Sequence, residues 1–143
     1  MRAGDILKSK GSEVFTISSD VRLTDAITML AEHNIGAVIV SEGQGVVSGI
    51  LSERDIIRVL KGAPTGYRET PVREVMTSHV FTCSPDATVD ELLDLMTEKR
   101  IRHVPIVTDQ GLVGLVSIGD VVKHRIREAV GEAEALKSYI SHG

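Results

Sequence analysis

Apolar positions along the chain change their spacing in a fixed order, and the order is run twice. A short run from Val14 to Ile17 is followed by Ser18, Ser19 and Asp20, residue types that turn the chain and start helices. Leu23, Ile27 and Leu30 then recur at helical spacing. Two further apolar runs, Ala37 to Val40 and Val46 to Leu51, flank Gly43, Gln44 and Gly45 and predict a hairpin or strand pair. The second run passes directly into a helical pattern from Ile56 to Leu60. The succession then returns as Val80 to Cys83, a turn at Ser84, Pro85 and Asp86, and a helical stripe of Val89, Leu92, Leu93 and Met96. It continues with runs from Val104 to Val107 and Leu112 to Val116 around Asp109, Gln110 and Gly111, and a helix from Val121 to Ile126. Each unit reads β-α-β-β-α. Thr88 with Glu91 three residues on predicts a capping box at the start of the second copy's first helix. Arg22 stands at the matching place in the first copy, whose helix therefore has the weaker start signal.

Aligned at an offset of 66, residues 14 to 40 and 80 to 106 share eight identities: Val14/Val80, Phe15/Phe81, Thr16/Thr82, Ser18/Ser84, Asp20/Asp86, Glu32/Glu98, Ile35/Ile101 and Val38/Val104. Beyond the loop at Gly43 the match resumes at offset 65, placing Gly49 to Asp55 on Gly114 to Asp120. Two copies of one unit predict a pseudo-twofold object with a cleft between the halves, in place of an extended array. The fold class is α/β (α+β), two tandem β-α-β-β-α repeats plus a carboxyl-terminal helix. Short segments with an acid before two aliphatics, around Asp5-Ile6-Leu7 and Glu74-Val75-Met76, predict a small helical lead-in to each copy. The organisation is a first repeat with its lead-in at 1–62, a linker rich in turn formers at 63–70, a second repeat at 71–126, and a helix and tail at 127–143. The tail keeps helical spacing through Ile126, Val130, Ala133, Leu136 and Ile140 and needs a surface to cover that stripe, its own core or a second subunit.

With 143 residues and 42% hydrophobic content, the chain can bury one good core, whereas each half alone is small, so a core shared between the halves is expected. Aromatics at 3% leave the interior to aliphatic side chains. A net charge of -4 argues against general nucleic-acid binding, which needs many cations on one surface; any anion site has to be local. Cys83 is the single cysteine, so no intramolecular disulfide forms, and it reads as a small buried strand residue. No apolar stretch approaches a membrane span and no leader pattern opens the chain, so a cytoplasmic protein with no membrane partner is expected. The histidines at 33, 79, 103, 124 and 142 lack zinc-ligand spacing, and no metal is expected.

The candidate chemistry lies in two Ser-x-x-Asp boxes, Ser52/Asp55 and Ser117/Asp120, at strand-to-helix junctions. One box alone is a helix cap, satisfying the amides that a first turn leaves free. Facing a cleft, the same Asp can accept ribose hydroxyls, and the Ser hydroxyl with the helix amides suits phosphate. The basic cluster Lys99, Arg100, Arg102 and His103 adds weight to the second use. Lys99 and Arg100 read as a solvated helix end complementing its dipole. Arg102 and His103 stand at the start of a strand, where the first copy has Gly36 and Ala37, and are expected to face the cleft, with Arg102 holding phosphate. Arg54 is a further candidate or an exposed helix residue. Pro105 predicts an edge or ladder break that frees neighbouring carbonyls for a ligand's amino group. No nucleophile is paired with a base and no carboxylates are paired for acid-base work, so no enzyme is expected.

Together the duplicated unit, Val-Arg-Glu-Val-Met-Thr (72 to 77), Val-Phe-Thr-Cys-Ser-Pro-Asp-Ala-Thr-Val (80 to 89), Ile-Arg-His-Val-Pro-Ile-Val (101 to 107) and Gly-Leu-Val-Ser-Ile-Gly-Asp-Val-Val (114 to 122) resemble a tandem pair of cystathionine β-synthase type (CBS) domains. The resemblance implies a regulatory, non-catalytic sensor binding an adenosine-containing ligand, AMP first among AMP, ADP, ATP, NAD and S-adenosylmethionine, in the cleft between copies. By position it implies that Asp55 and Asp120 take ribose hydroxyls, that Ser52 and Ser117 sit by phosphate, and that Arg102, His103 and Arg54 reach phosphates. Phe15 and Phe81 would mark strand-entry backbone near the adenine, Gly36 and Ala37 would line the other copy's entry, and each pocket would draw on both copies. Because Gly36 and Ala37 bring no charge where Arg102 and His103 do, the two pockets should differ. It also implies a homodimer formed through helices, and a separate protein target. The competing reading is an interaction module working through its dimer surface without ligand.

Overall fold

The computed structural model describes residues 1–62 and 65–142, so Ala63 and Pro64 of the expected linker and Gly143 of the tail lie outside the described residues. Its elements are α1 (Ala3–Lys10), β1 (Thr16–Ile17), α2 (Leu23–His33), β2 (Ala37–Val40), β3 (Gly49–Ser52), α3 (Glu53–Gly62), a 3-10 turn (Val72–Glu74), α4 (Val89–Lys99), β4 (His103–Thr108), β5 (Gly111–Ser117) and α5 (Ile118–His142). In the first half β1 runs parallel to β2 and β2 antiparallel to β3; in the second β4 and β5 form an antiparallel pair. Both expected hairpins are present, although Val46, Val47 and Ser48 precede β3 instead of extending it. Thr88 Oγ1 accepts the Glu91 N–H at 3.1 Å and caps α4, while the Arg22 side chain makes no cap bond for α2.

The strand expected over 80–83 is reduced to a single parallel bridge between Cys83 and Ile106, and Pro105 gives the reason. In the first copy Ile17 pairs with Val40, and the Ile39 N–H donates to the Phe15 carbonyl at 3.4 Å. Pro105 is the counterpart of Ile39 and has no N–H, so the bond that would hold Phe81 alongside β4 cannot form. The Cys83 N–H still donates to the Pro105 carbonyl at 3.1 Å, and the Val107 N–H to the Cys83 carbonyl at 2.9 Å. Pro105 therefore breaks one ladder, as expected, but its own carbonyl is taken, and it keeps its antiparallel partner Leu115.

The expected shared core is replaced by two. One cluster gathers Val89, Leu92, Met96, Val104, Ile106, Val116 and Val121 of the second copy around Ala3, Ile6 and Leu7 of α1. The other gathers Ile17, Leu23, Ala26, Leu30, Val38, Val40 and Leu51 around Val72, with Val75 and Met76 packed against it. Each lead-in has crossed to the opposite copy. Bridges between Arg2 and Thr88 and between Arg22 and Pro71 mark the two equivalent crossings. The glycines at equivalent strand positions make them possible. A Cβ on Gly49 would stand 2.6 Å from Met76 Sδ and 3.0 Å from the Thr77 carbonyl oxygen, and a Cβ on Gly114 would stand 2.5 Å from Leu7 Cδ2. Exchange of the lead-ins completes each small core with apolar surface from the other half.

Candidate functional site

At the start of β2, the end of β3 and the first turn of α3 the first copy faces the α4–β4 junction of the second across a cavity of about 220 Å³. That is below the roughly 300–1,000 Å³ typical of enclosed ligand sites. Its walls are Gly36, Ile50, Ser52, Glu53, Arg54, Asp55 and Arg58 from the first copy, Thr77 from the crossed lead-in, and Arg100, Ile101, Arg102 and His103 from the second. Six of the residues singled out from sequence are thus brought together: Gly36, Ser52, Arg54, Asp55, Arg102 and His103. The remainder are not in this wall. Phe15 stacks on His33 with ring centroids 4.0 Å apart, and Phe81 lies under the Lys99 ammonium at 5.1 Å and edge-on to His79. Ala37 and Pro105 are buried in their strands, and Ser117 and Asp120 form a separate site.

Asp55 is buried and fully engaged. Its Oδ2 accepts the Ser52 N–H at 2.9 Å and the Ser52 hydroxyl at 3.1 Å, and its Oδ1 accepts from Thr77 Oγ1 at 3.0 Å and Arg58 Nη1 at 3.2 Å. The Ser-x-x-Asp box is therefore a cap, and one that also clamps the crossed lead-in. Thr77 is held a second time, through paired backbone bonds with Ile50 at 2.9 Å each. Arg58 is the one exposed partner; its side chain keeps 73% of its surface in solvent.

The arginines decide the character of the cavity. Four guanidiniums, Arg54, Arg58, Arg100 and Arg102, stand against two carboxylates, Glu53 and Asp55. Of the four, only Arg58 has an acidic partner among the described residues; Arg54 instead donates from Nη1 to the Arg100 carbonyl at 3.2 Å. Unpaired guanidiniums on one concavity have the charge and the forked donor geometry that suit a planar or tetrahedral anion. Arg100, assigned from sequence to a solvated helix end, is exposed at the end of α4 and borders the cavity as well. It is the left-handed cap of α4, with φ 55°, at the place where α2 ends in Asn34 with φ 52°. That turn aims the following residues, Ile101 to His103, into the cavity and keeps Arg100 at its rim.

His103 is half-buried, and burial pushes its imidazole below the ordinary value; the Glu53 carboxylate pulls it upward, Lys10 and Arg102 oppose protonation, and Asp120 favours it. At neutral pH the ring is neutral and offers one donor and one acceptor nitrogen. A Cβ on Gly36 would lie 3.6 Å from both His103 Nε2 and Glu53 Oε1. The absence of a side chain there leaves open the gap between these two polar groups.

The second box is built differently. The Ser117 N–H donates to Asp120 Oδ2 at 2.9 Å and the Asp120 N–H to Ser117 Oγ at 3.2 Å, the cap geometry again. The crossed lead-in now contributes a charge: Lys10 Nζ donates to Asp120 Oδ2 at 2.7 Å and to the Leu115 carbonyl at 2.9 Å. Burial raises the Asp120 carboxyl, but the Lys10 hydrogen bond, the Ser117 bonds and the Lys10 charge outweigh it and hold the group below its usual range.

Sequence reasoning missed Ile50, Glu53, Arg58, Thr77 and Ile101 in the cavity and Lys10 at the second box. Arg58 was legible in principle, one helical turn after Asp55. Thr77 and Lys10 were not, because they arrive through the crossing of the lead-ins. Among the described residues no cluster of potential ligands could hold a metal ion, and no helix is long and apolar enough to cross a membrane.

Comparison with known proteins agrees with this architecture. The CBS domain family matches residues 3–62 and 72–127. The chain is 36% identical to the mitochondrial CBS domain-containing protein CBSX3 of Arabidopsis thaliana, over 97% of this chain and 71% of that protein. It superposes on the crystal structure of a CBS-domain containing protein from Agrobacterium tumefaciens with a TM-score of 0.84 and 40% identity, covering 87% of this chain and 99% of the other. The CBS domain pair of protein MJ0100, crystallised with 5'-methylthioadenosine and S-adenosyl-L-methionine, matches with a TM-score of 0.78 and 26% identity over 90% of this chain and 98% of that one. Two matched segments, one crossed lead-in for each and a cleft between them identify the chain as a tandem pair of the CBS-domain family.

Proposed function

We propose that this protein is a regulatory, non-catalytic module that senses an adenosine nucleotide carrying phosphate, AMP being the simplest, in the cavity between its two copies. The observation that carries the reading is the set of three guanidiniums, Arg54, Arg100 and Arg102, which line one cavity without a carboxylate partner among the described residues in a chain of net charge -4. The complex of MJ0100 with two adenosine-containing compounds supports the nucleoside part. The arginines favour a phosphate tail over the sulfonium cation of S-adenosylmethionine. In this reading Arg58, exposed on the solvent side, swings away from Asp55 Oδ1 and the carboxylate accepts the ribose hydroxyls. Arg54, Arg100 and Arg102 take the phosphate, and Ser52 keeps its capping role. ADP, ATP and NAD extend the same anionic tail toward the mouth. The chain acts as a homodimer on a separate protein target.

Thermal unfolding of ligand-free protein with AMP, ADP, ATP, NAD and S-adenosylmethionine tests this. Binding to the folded state alone adds about 2.7 kcal/mol at a hundredfold excess over Kd, so a raised Tm with AMP, larger than that with S-adenosylmethionine, is expected. Equal Tm values with every compound overturn the reading in favour of an interaction module.

A further inference from the structure

The second half of α5 leaves its own body and carries an apolar seam that nothing among the described residues covers. Within the first turns, Val121 and His124 are buried. On the opposite side of the helix Val122, Ile126, Leu136 and Ile140 are exposed, the last two by 61% and 70%. With Ala129 and Ala133, also exposed, they alternate at spacings of four and three residues: Val122, Ala129 and Leu136 at one core position of a heptad, and Ile126, Ala133 and Ile140 at the other. A strict heptad of this kind is the seam of a coiled coil, and two small layers at Ala129 and Ala133 bring the backbones close.

The flanking charges select both the partner and its direction. Lys123, Val130 and Lys137 fall on one side of the seam and Arg125, Glu132 and Tyr139 on the other. In a parallel pair of identical helices, Glu132 faces Lys137 of the other copy, and the symmetry makes two such attractive pairs. In an antiparallel pair the same register sets Lys123 against Lys137 and Glu132 against Glu132. Neither Glu132 nor Lys137 has an ion partner within the described residues, whereas Arg125 is tied to Asp90 and Glu128. We infer that the occupant of this face is a second copy of the chain, joined through a parallel coiled coil of the two α5 tails over residues 122–140. The seam is about 28 Å long at 1.5 Å per residue. The inference rests on the homodimer reading and adds to it the surface, the register and the direction.

Sedimentation equilibrium of the full chain, paired with disulfide trapping, tests it. The wild type is expected to dimerise, Leu136→Glu to give monomer that still unfolds in one cooperative transition, and Lys137→Glu to weaken the dimer about tenfold as two attractive pairs become repulsive. Glu132→Lys combined with Lys137→Glu restores it. In a Cys83→Ser background, Ile140→Cys should form a covalent dimer with itself, as only the parallel register allows. A monomeric wild type overturns both the dimer and the seam. A dimer that is indifferent to Leu136→Glu and Lys137→Glu leaves the dimer standing and overturns the seam, and trapping of Ile140→Cys only with Val122→Cys overturns the direction.

Discussion

Asp55 and Asp120 occupy equivalent positions in two copies of one unit, and their surroundings have diverged in a way that separates scaffold from site. Both cap the helix that follows, through the same bond from the serine amide at 2.9 Å. Both are also reached by the lead-in that has crossed from the other half, but Thr77 brings a neutral hydroxyl to Asp55 and Lys10 brings a cation to Asp120. A hydroxyl leaves the surrounding arginines free to attract an anion. An ammonium bound between Asp120 and the Leu115 carbonyl fills its position with a charge already neutralised. The same substitution pattern recurs at the strand starts, where Gly36 in the first copy faces Arg102 and His103 of the second across one cavity. Duplication supplied two equivalent frames, and at the first of them the side chains line an open cationic cavity.

The largest expected effect breaks the frame itself. Gly49→Ala sets a methyl against the Thr77 carbonyl, a backbone atom fixed by paired bonds to Ile50, and should cost about 3 kcal/mol in urea unfolding; Gly114→Ala meets only the movable end of Leu7 and should cost about 1–2 kcal/mol. Equal losses would mean that the two crossings are equally rigid. Next comes the box. Asp55→Ala strips four hydrogen bonds from a buried carboxylate and should cost about 2 kcal/mol, against about 1 kcal/mol for Asp120→Ala at a partly exposed side chain. Asp55→Ala therefore disturbs the cap and the cavity together, whereas Asp120→Ala disturbs the cap alone.

A third comparison concerns charge at the cavity. Arg102→Ala should lower AMP affinity about tenfold with no change in Tm of the free protein, whereas Lys10→Met, at the other box, should leave AMP affinity unchanged; calorimetry of both variants decides. The smallest effect is one of pH. Asp120 is held below its ordinary carboxyl value, so its stabilising contribution is present above about pH 3.9 and is lost as pH falls through its lowered folded value. Lys10→Met removes most of that contribution, under about 1 kcal/mol for a partly exposed pair. The variant's Tm should therefore fall less than that of the wild type between about pH 5 and pH 3.

Much of the architecture was legible because it follows from local patterns: short apolar runs, helical stripes, turn residues and the constant offset between copies. The box serines and aspartates, Arg102 and His103 were legible because a cap signal and a misplaced pair of charges stand out in a single sequence. Three things were not. The shortened strand at 80–83 depends on the missing N–H of Pro105 as seen from its neighbour Phe81, a pairwise fact. Crossing of the lead-ins is a topological choice that favours neither copy in its own apolar pattern, and its trace is the glycine at Gly49 and Gly114, whose reason appears only with Met76 and Leu7 in place. The place of Arg100 at the cavity rim was hidden because a cation at a helix end has a sufficient local explanation, and only the left-handed turn at φ 55° shows that the same residue borders the cavity.

The most direct test of the central claim is a calorimetric titration of ligand-free protein with AMP and, separately, with adenosine. The account predicts that AMP binds and that adenosine, lacking the phosphate proposed to lie against Arg54, Arg100 and Arg102, binds at least about tenfold more weakly. Equal affinity for the two, or no heat with either, would contradict it.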